Sequence, residues 1–308
     1  NPNDVFLMRI YAGGFNNVNS PNDPDLNSID GNTIHNNTSI SGYPSGTINR
    51  RAFGWNPSGE AMSRSDWQQA SDSILLQPSP VNIAAQAIYD YASGQLTVNT
   101  ETYYTSTTTN PQFLHIAVIQ NNIAGPQTGA SNFNPSDTIF GPWSPTYNHR
   151  DVLRYLMDGY NGMQILSTTS GDLNSNTHVW NVPYDLSAGQ SSIGFFPEIV
   201  PTDLEVIAFV AEGTQEIYNA VEVPVIPLFT NDYDVYVVGS SADDVICASE
   251  TEISITFRNY GNQNLISCDF TYDVNGGAPV LYSWSGNMVP GATETITIPN
   301  VSFSPQAI

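Results

Sequence analysis

Any chemistry in this chain must come from few reactive side chains: two cysteines, four histidines and seven basic residues, against 29 acidic ones. His35, His115, His149 and His178 fall in no Gly-x-Ser-x-Gly elbow and no His-Glu-x-x-His pair, and no two share a metal-ligand spacing. We therefore expect no catalytic residues. His115 and His178 sit in alternating stretches and read as satisfied structural histidines. His149, Arg150 and Arg154 place three basic groups within six residues of a chain poor in them. They either order a loop by pairing with acidic neighbours or dock an anionic ligand. Cys247 and Cys268 form no Cys-x-x-Cys and have no histidine nearby to complete a zinc site. A disulfide between them, worth about 3 kcal/mol by loop-closure entropy, is expected; two free thiols in adjacent strands is the other reading. Asp23, Asp25, Asn27 and Asp30 cluster oxygen ligands as a calcium loop would. They depart from the EF-hand pattern, with Ser28 where glycine belongs and Ile34 where the bidentate glutamate belongs. The bland alternative is a solvated acidic loop. Asp232, Asp234, Asp243 and Asp244 are a second such group, and calcium is the one cofactor candidate.

The charge balance narrows the partners. All seven basic residues are arginines, and the net charge is -22. Binding to a phosphate backbone depends on cations that displace counterions, so nucleic acid is excluded as a partner. An anionic membrane surface is disfavoured for the same reason. Other surface or secreted proteins and neutral glycans fit better. Trp55, Trp143, Trp180, Tyr43, Tyr103, Tyr104 and Tyr147 could stack on sugar rings, although aromatics in β proteins more often fill cores. No apolar run reaches the ~18–20 residues that cross a bilayer as a helix. The sparse, even cysteine count and the abundance of Asn, Thr and Ser suit an oxidising, extracellular compartment. The chain opens on Asn1 and stops at Ile308 just after an alternating stretch, so continuation at both ends is expected.

Residue periodicity supplies the frame for these side chains. Val5–Tyr11 reads as a buried strand, and a short helix is expected from about Leu26 to Asn36. Gly42–Gly46 is a turn cluster leading into a short strand, Thr47–Arg50. A helix capped by Ser63 or Ser65 runs to about Leu76, with Trp67, Ala70 and Ile74 on one face. Pro78 and Pro80 end it. From Val81 the period becomes two: strands are predicted at Val81–Asp90, Gln95–Tyr104, Gln112–Gln120, His178–Val182, Glu205–Ala211 and Ile217–Val225. Arg150–Met157 is a short helical or extended insertion. A third unit carries strands at Asp232–Val237, Glu252–Arg258, Leu265–Asp273, Val280–Trp284 and Thr293–Ile298. Asn259–Asn262 and Asn275–Gly277 form the turns. The fold class is mostly β, built of β-sandwich domains, with boundaries near residues 78 and 227.

Four blocks in order, Val5–Phe15, Gly42-Tyr43-Pro44-Ser45-Gly46-x-x-Asn49-Arg50, the Val81–Tyr104 strand pair and Asn148–Arg154, resemble the outer membrane protein twenty-eight family of Bacteroidetes. The resemblance covers roughly residues 1–225. It implies a secreted or outer-membrane surface location and a partial thioredoxin-like α/β unit at residues 1–78. It also implies a β-sandwich at 79–227 and a cis-proline at Pro44. The last eighty residues resemble the immunoglobulin-like modules of type IX secretion cargo, through Cys247, Asn259-Tyr260-Gly261, Val274-Asn275-Gly276-Gly277 and Trp284-Ser285-Gly286. The implied role is adhesive, structural or accessory, without catalysis. A thiol-disulfide oxidoreductase whose Cys-x-x-Cys lies before Asn1 and a carbohydrate-binding subunit are the alternatives. In this class Asp72-Ser73-Ile74 and Asp137-Thr138-Ile139 match the Asp-Ser/Thr-apolar acceptor for O-glycosylation, which makes Ser73 and Thr138 candidate sites.

Overall fold

A computed structural model describes residues 5–14, 16, 18, 20, 21, 23–56, 59–128, 132, 138, 139, 146–183, 194–242, 250–274 and 276–302. The chain is mostly β and divides into two compact units. Unit 1 holds residues 1–89 and 95–226; unit 2 holds 90–94 and 227–308. Residues 1–78 thus fall in the same unit as the sandwich strands that follow them.

The strands of unit 1 run β1 (Gly46–Thr47), β2 (Ala61–Met62), β3 (Val81–Asp90), β4 (Gln95–Tyr104), β5 (Gln112–Gln120) and β6 (Ile123–Gly125). Next come β7 (Thr138–Ile139), β8 (Thr146–His149), β9 (Val152–Leu156), β10 (Met163–Ile165), β11 (Leu173–Asn181), β12 (Leu204–Glu212) and β13 (Ile217–Leu228). Eight of them form one sheet in the order β10-β5-β12-β13-β3-β4-β11, with β9 also paired to β5. Two-residue alternation explains β4, whose Leu96, Val98, Thr100, Thr102 and Tyr104 point inward while Asn99, Glu101 and Tyr103 face solvent. In β5 both faces are buried, which is why its sequence reads as a nearly continuous apolar run.

The sheet curls until its ends meet. Trp180 of β11 stacks on Tyr155 of β9 with ring centroids 4.6 Å apart, and His178 Nδ1 lies 2.9 Å from the Asp158 carboxylate. The outer face of β5, β9 and β12 is covered by helix α1 (Ile29–Asn36), whose Ile34 packs on Ala117, Ile119, Leu153 and Phe209. Ser28 caps α1 by accepting from the Gly31 amide at 2.9 Å. Helix α2 (Trp67–Leu75) begins after Asp66, and no side chain caps it, neither Ser63 nor Ser65.

The segment expected to be a buried strand at Val5–Tyr11 is instead an extended strap. Val5 and Leu7 are exposed, while Phe6, Met8 and Ile10 lean on the α1-side core. Its backbone joins β9 by one parallel bridge: the Arg9 amide donates to Asp151 O at 2.7 Å and Leu153 N donates to Arg9 O at 3.0 Å. Arg150–Met157 takes the extended alternative, as β9. Thr47–Arg50 shortens to β1, because Asn49 and Arg50 turn the chain with φ of 49° and 50°. Residues 5–78 pair internally only as β1 on β2 and as a Tyr11–Asn27 bridge among the described residues.

Unit 2 is a sandwich of β14 (Val235–Ala242), β15 (Glu250–Asn259) and β18 (Thr293–Ser302) against β16 (Leu265–Tyr272) and β17 (Val280–Met288). Phe257 of one sheet meets Phe270 and Trp284 of the other edge-on, at 4.8 and 5.2 Å. The sequence motifs here do structural work. The fully buried Asn259 amide donates to Gln263 O and Met288 O and accepts from the Gly261 amide. A Cβ on Gly261 would lie 2.6 Å from Asp232 O, and one on Gly286 would lie 2.3 Å from the Trp284 ring.

Because Trp180 joins the two ends of the curled sheet, Trp180→Ala should lower the stability of unit 1 by about 3 kcal/mol or more. Urea unfolding followed by circular dichroism checks this; an unchanged midpoint would show that the sheet does not depend on this contact.

Candidate functional site

The polar residues that could carry function gather where the N-terminal strap crosses β8 and β9. Arg9 extends along this crossing. Its Nη1 donates to the Tyr147 hydroxyl at 3.2 Å, and its Nε lies 3.6 Å from the Asp151 carboxylate. Two residues on, the Tyr11 hydroxyl is 2.7 Å from His149 Nδ1, and the Tyr11 and Tyr147 rings both meet the imidazole edge-on. Asp151 sits in the tight turn between β8 and β9 with φ of 55°, its amide donating to the Asn121 side chain. The same Asn121 donates to Glu205 at 3.0 Å.

Electrostatics follow from burial. His149 is 2% exposed, and burial, assisted by the Arg9 charge, pushes its pKa down to about 4. It is neutral at physiological pH. Nδ1 shares its hydrogen bond with Tyr11, and Nε2 lies next to Gly125. A Cβ on Gly125 would come within 3.2 Å of that nitrogen and 2.5 Å of Pro24 Cγ. Burial raises Tyr11 to about 12. Glu222, on β13, is pushed up to about 7, first by burial and then by Glu205 and Asp151. Burial also raises Asp151, against the pull of Arg9.

The three basic residues expected to act together do not converge. His149 is sealed among the tyrosines. Arg150 is exposed. Arg154 is buried on β9 and donates to Pro197 O at 2.7 Å. Burial lowers Arg154 to about 10 while Asp25 opposes the change, so the guanidinium keeps its charge. His149 and Arg154 thus each join separate segments, through Tyr11 and through Pro197 O.

Of the calcium candidates, Asp243 and Asp244 lie outside the described residues, and the carboxylates of Asp23, Asp25 and Asp30 do not gather around one point. Asp25 is buried and binds the Asn27 amide and side chain, while its own amide donates to Phe195 O. The Asp23 carbonyl accepts from Phe195 N. Asp30 lies in α1 and accepts from the Leu156 amide at 2.7 Å. Among the described residues no three His, Cys, Asp or Glu side chains gather as a metal set. The Asp25 carboxylate braces its own loop and that of Asp30 holds β9, which their spacing alone did not reveal.

The remaining candidates are scattered. The Tyr43–Pro44 peptide bond is cis, and Tyr43 stacks on His35. Cys268 is half-buried against the unit 2 core and carries no disulfide among the described residues; Cys247 lies outside them. Burial, then Asp269 and Glu294, raises the Cys268 thiol, which disfavours the reactive thiolate. Ser73 lies in α2 with its hydroxyl donating to Ala70 O at 2.8 Å. Thr138 is in β7, paired with Tyr147, and Asp137 lies outside the described residues. Of the aromatic candidates, Tyr104, Tyr147 and Trp180 are buried, Tyr43, Trp55 and Tyr103 are exposed, and Trp143 lies outside the described residues. Sequence reading missed Arg9, Tyr11, Glu205 and Glu222, and considered Tyr147 only as a sugar-stacking aromatic. The one available signal was the scarcity of arginine, which makes Arg9 conspicuous.

Comparison with known proteins gives a family match over residues 31–225, to Outer membrane protein Omp28. No curated protein matches the chain. A solved structure of red sea bream transglutaminase is similar over 80% of this chain and 30% of its own, at 10% identity and a TM-score of 0.25. Two structures of Salmonella alpha-2-macroglobulin, a mutant and a methylamine-reacted form, are similar over 73% of this chain and 15% of theirs, at 12% identity and TM-scores of 0.24 and 0.23. The chain spans less than a third of the length of each.

The buried imidazoles predict an acid limit to stability. His149 and His115, both held near 4 in the fold against an ordinary value of 6.5, bind fewer protons folded than unfolded between those limits. Their contribution is complete above pH 6.5 and is lost as pH falls toward 4. Glu222 has the opposite sign: its folded pKa is raised, so its contribution is lost as pH rises through 7. Glu222→Gln should therefore raise the melting temperature at pH 8 and leave it nearly unchanged at pH 4.5. Thermal scans across this range decide; an equal effect at both values would remove Glu222 from the account.

Proposed function

The chain belongs to the Outer membrane protein Omp28 family, which places it at the outer membrane or cell surface, and from that premise we propose a non-catalytic role in adhesion, structure or accessory assembly. The use that unit 1 makes of its scarce cations supports this reading most. Arg9 ties the strap to β8 and β9, Arg154 holds the Pro197 segment, and Arg51 reaches both Gln77 and Glu216. These groups join segments, and the histidine among them is neutral and enclosed. In this reading the protein is a Bacteroidetes surface or secreted component, residues 1–78 derive from a thioredoxin-like unit, and unit 2 is an immunoglobulin-like module of type IX secretion cargo. Its partners are other surface proteins or neutral glycans, as the net charge of -22 favours.

Labelled recombinant chain should bind intact cells or secreted proteins saturably while turning over no peptide, glycan or disulfide substrate. Turnover that scales with protein concentration would replace this reading with an enzymatic one.

A further inference from the structure

The placement of the seven arginines decides where proteases can enter this chain. An endopeptidase that cuts after lysine or arginine needs such a side chain in solvent and backbone around it that can open. The chain has no lysine, and all seven arginines are among the described residues. Arg50, Arg154 and Arg258 are buried, at 9%, 8% and 7% exposed. Arg9 is engaged by Tyr147 and Asp151, and its backbone is bridged to β9. Arg51 is held by Gln77 and Glu216. Arg64 and Arg150 alone are exposed. An acidic surface tolerates exposed arginines well, so charge balance does not explain why the other five are withdrawn.

The two exposed arginines differ in their backbone. Arg150 lies in the turn between β8 and β9. The next residue, Asp151, is left-handed at φ 55°, its amide donates to the Asn121 side chain, and its carbonyl accepts from the Arg9 amide. Opening this turn pulls on β9, whose Val152, Leu153 and Leu156 are in the core. Arg64 lies between the two-residue strand β2 and helix α2. That helix has nine residues, no capping side chain, and Ala70 as its one buried residue. A helix this short is marginal in water, so the Ser63–Asp66 segment opens locally at low cost.

We propose that the Arg64–Ser65 bond is a processing site, the one bond of the folded chain open to an endopeptidase specific for basic residues. Water adds across that amide, leaving a carboxylate on Arg64 and an amine on Ser65. The product is a two-chain form whose pieces, residues 1–64 and 65–308, stay together. Tyr11 on His149, Asp30 on the Leu156 amide and Asn49 on Ile217 O hold the first piece to the second. The new ammonium group at Ser65 stands at the N-terminal end of α2, where positive charge opposes the helix dipole and loosens the helix. The site is independent of the surface role proposed above.

The test is limited trypsin digestion of the whole folded chain, read by intact-mass spectrometry and by gel filtration. One early cut should appear, after Arg64, with the two pieces eluting together until denaturant is added. The other six arginines should be cut at least tenfold more slowly in the folded chain, and without that order in the unfolded chain. Arg64→Gln, a change at an exposed position, should lengthen the lifetime of the intact chain at least tenfold. Earlier cutting after Arg150 or any other arginine overturns the proposal, and so does an Arg64→Gln chain lost as fast as the native one. The order of cuts in the native chain decides this without the variant. Pieces that separate in the absence of denaturant overturn the two-chain form.

Discussion

The structure depends on one imbalance: seven guanidiniums and no lysine must serve 29 carboxylates. Most carboxylates can stay in water. Those that approach one another on the sheet cannot all remain ionised at low cost, and the Asp151, Glu205 and Glu222 group shows the result, with Glu222 holding its proton to near neutral pH. Three arginines of unit 1, one half-buried and two buried, then become fixed points around which neighbouring segments are ordered. Arg9 fixes the strap, Arg154 fixes the segment at Pro197, and Arg50 stacks between two rings without a counterion.

These fixed points explain how residues that precede the sandwich become part of it. The strap adds only one backbone bridge to β9, too little to hold an extended segment alone. Side chains complete the attachment: Phe6, Met8 and Ile10 on the apolar side, and Arg9 and Tyr11 on the polar side. The sheet beneath is itself held in a curl by the Tyr155–Trp180 stack. A surface protein exposed to changing conditions gains from such redundancy.

Much of this architecture was legible in the residues, and the exceptions have physical causes. Gln112–Gln120 and Gln95–Tyr104 were read with their observed bounds, because period-two alternation and continuous apolar runs are local signals. Val5–Tyr11 looked like a buried strand because its apolar content is high, whereas its neighbours cover only one side. The Asp23–Asp30 spacing suggested calcium, but in the structure Asp25 accepts from the nearby Asn27 and Asp30 from the distant Leu156 amide, and spacing cannot show such partners. His149 and Arg154 are close in sequence yet serve different segments, because the turn at Asp151 separates β8 from β9. The Asn259-x-Gly261 motif was recognised by resemblance. Its cause, an amide bracing a crowded turn, appears only in three dimensions.

The central claim is that the strap cluster is a closed structural joint, not a site that exchanges protons or docks anions. An NMR titration of the histidine ring resonances from pH 3.5 to 8.5 tests it directly. The account predicts that His149 stays neutral through the physiological range and titrates only near pH 4, together with loss of the strap contacts. A His149 titration between pH 6 and 7, with the fold intact, would contradict it and reopen the cluster as a functional site.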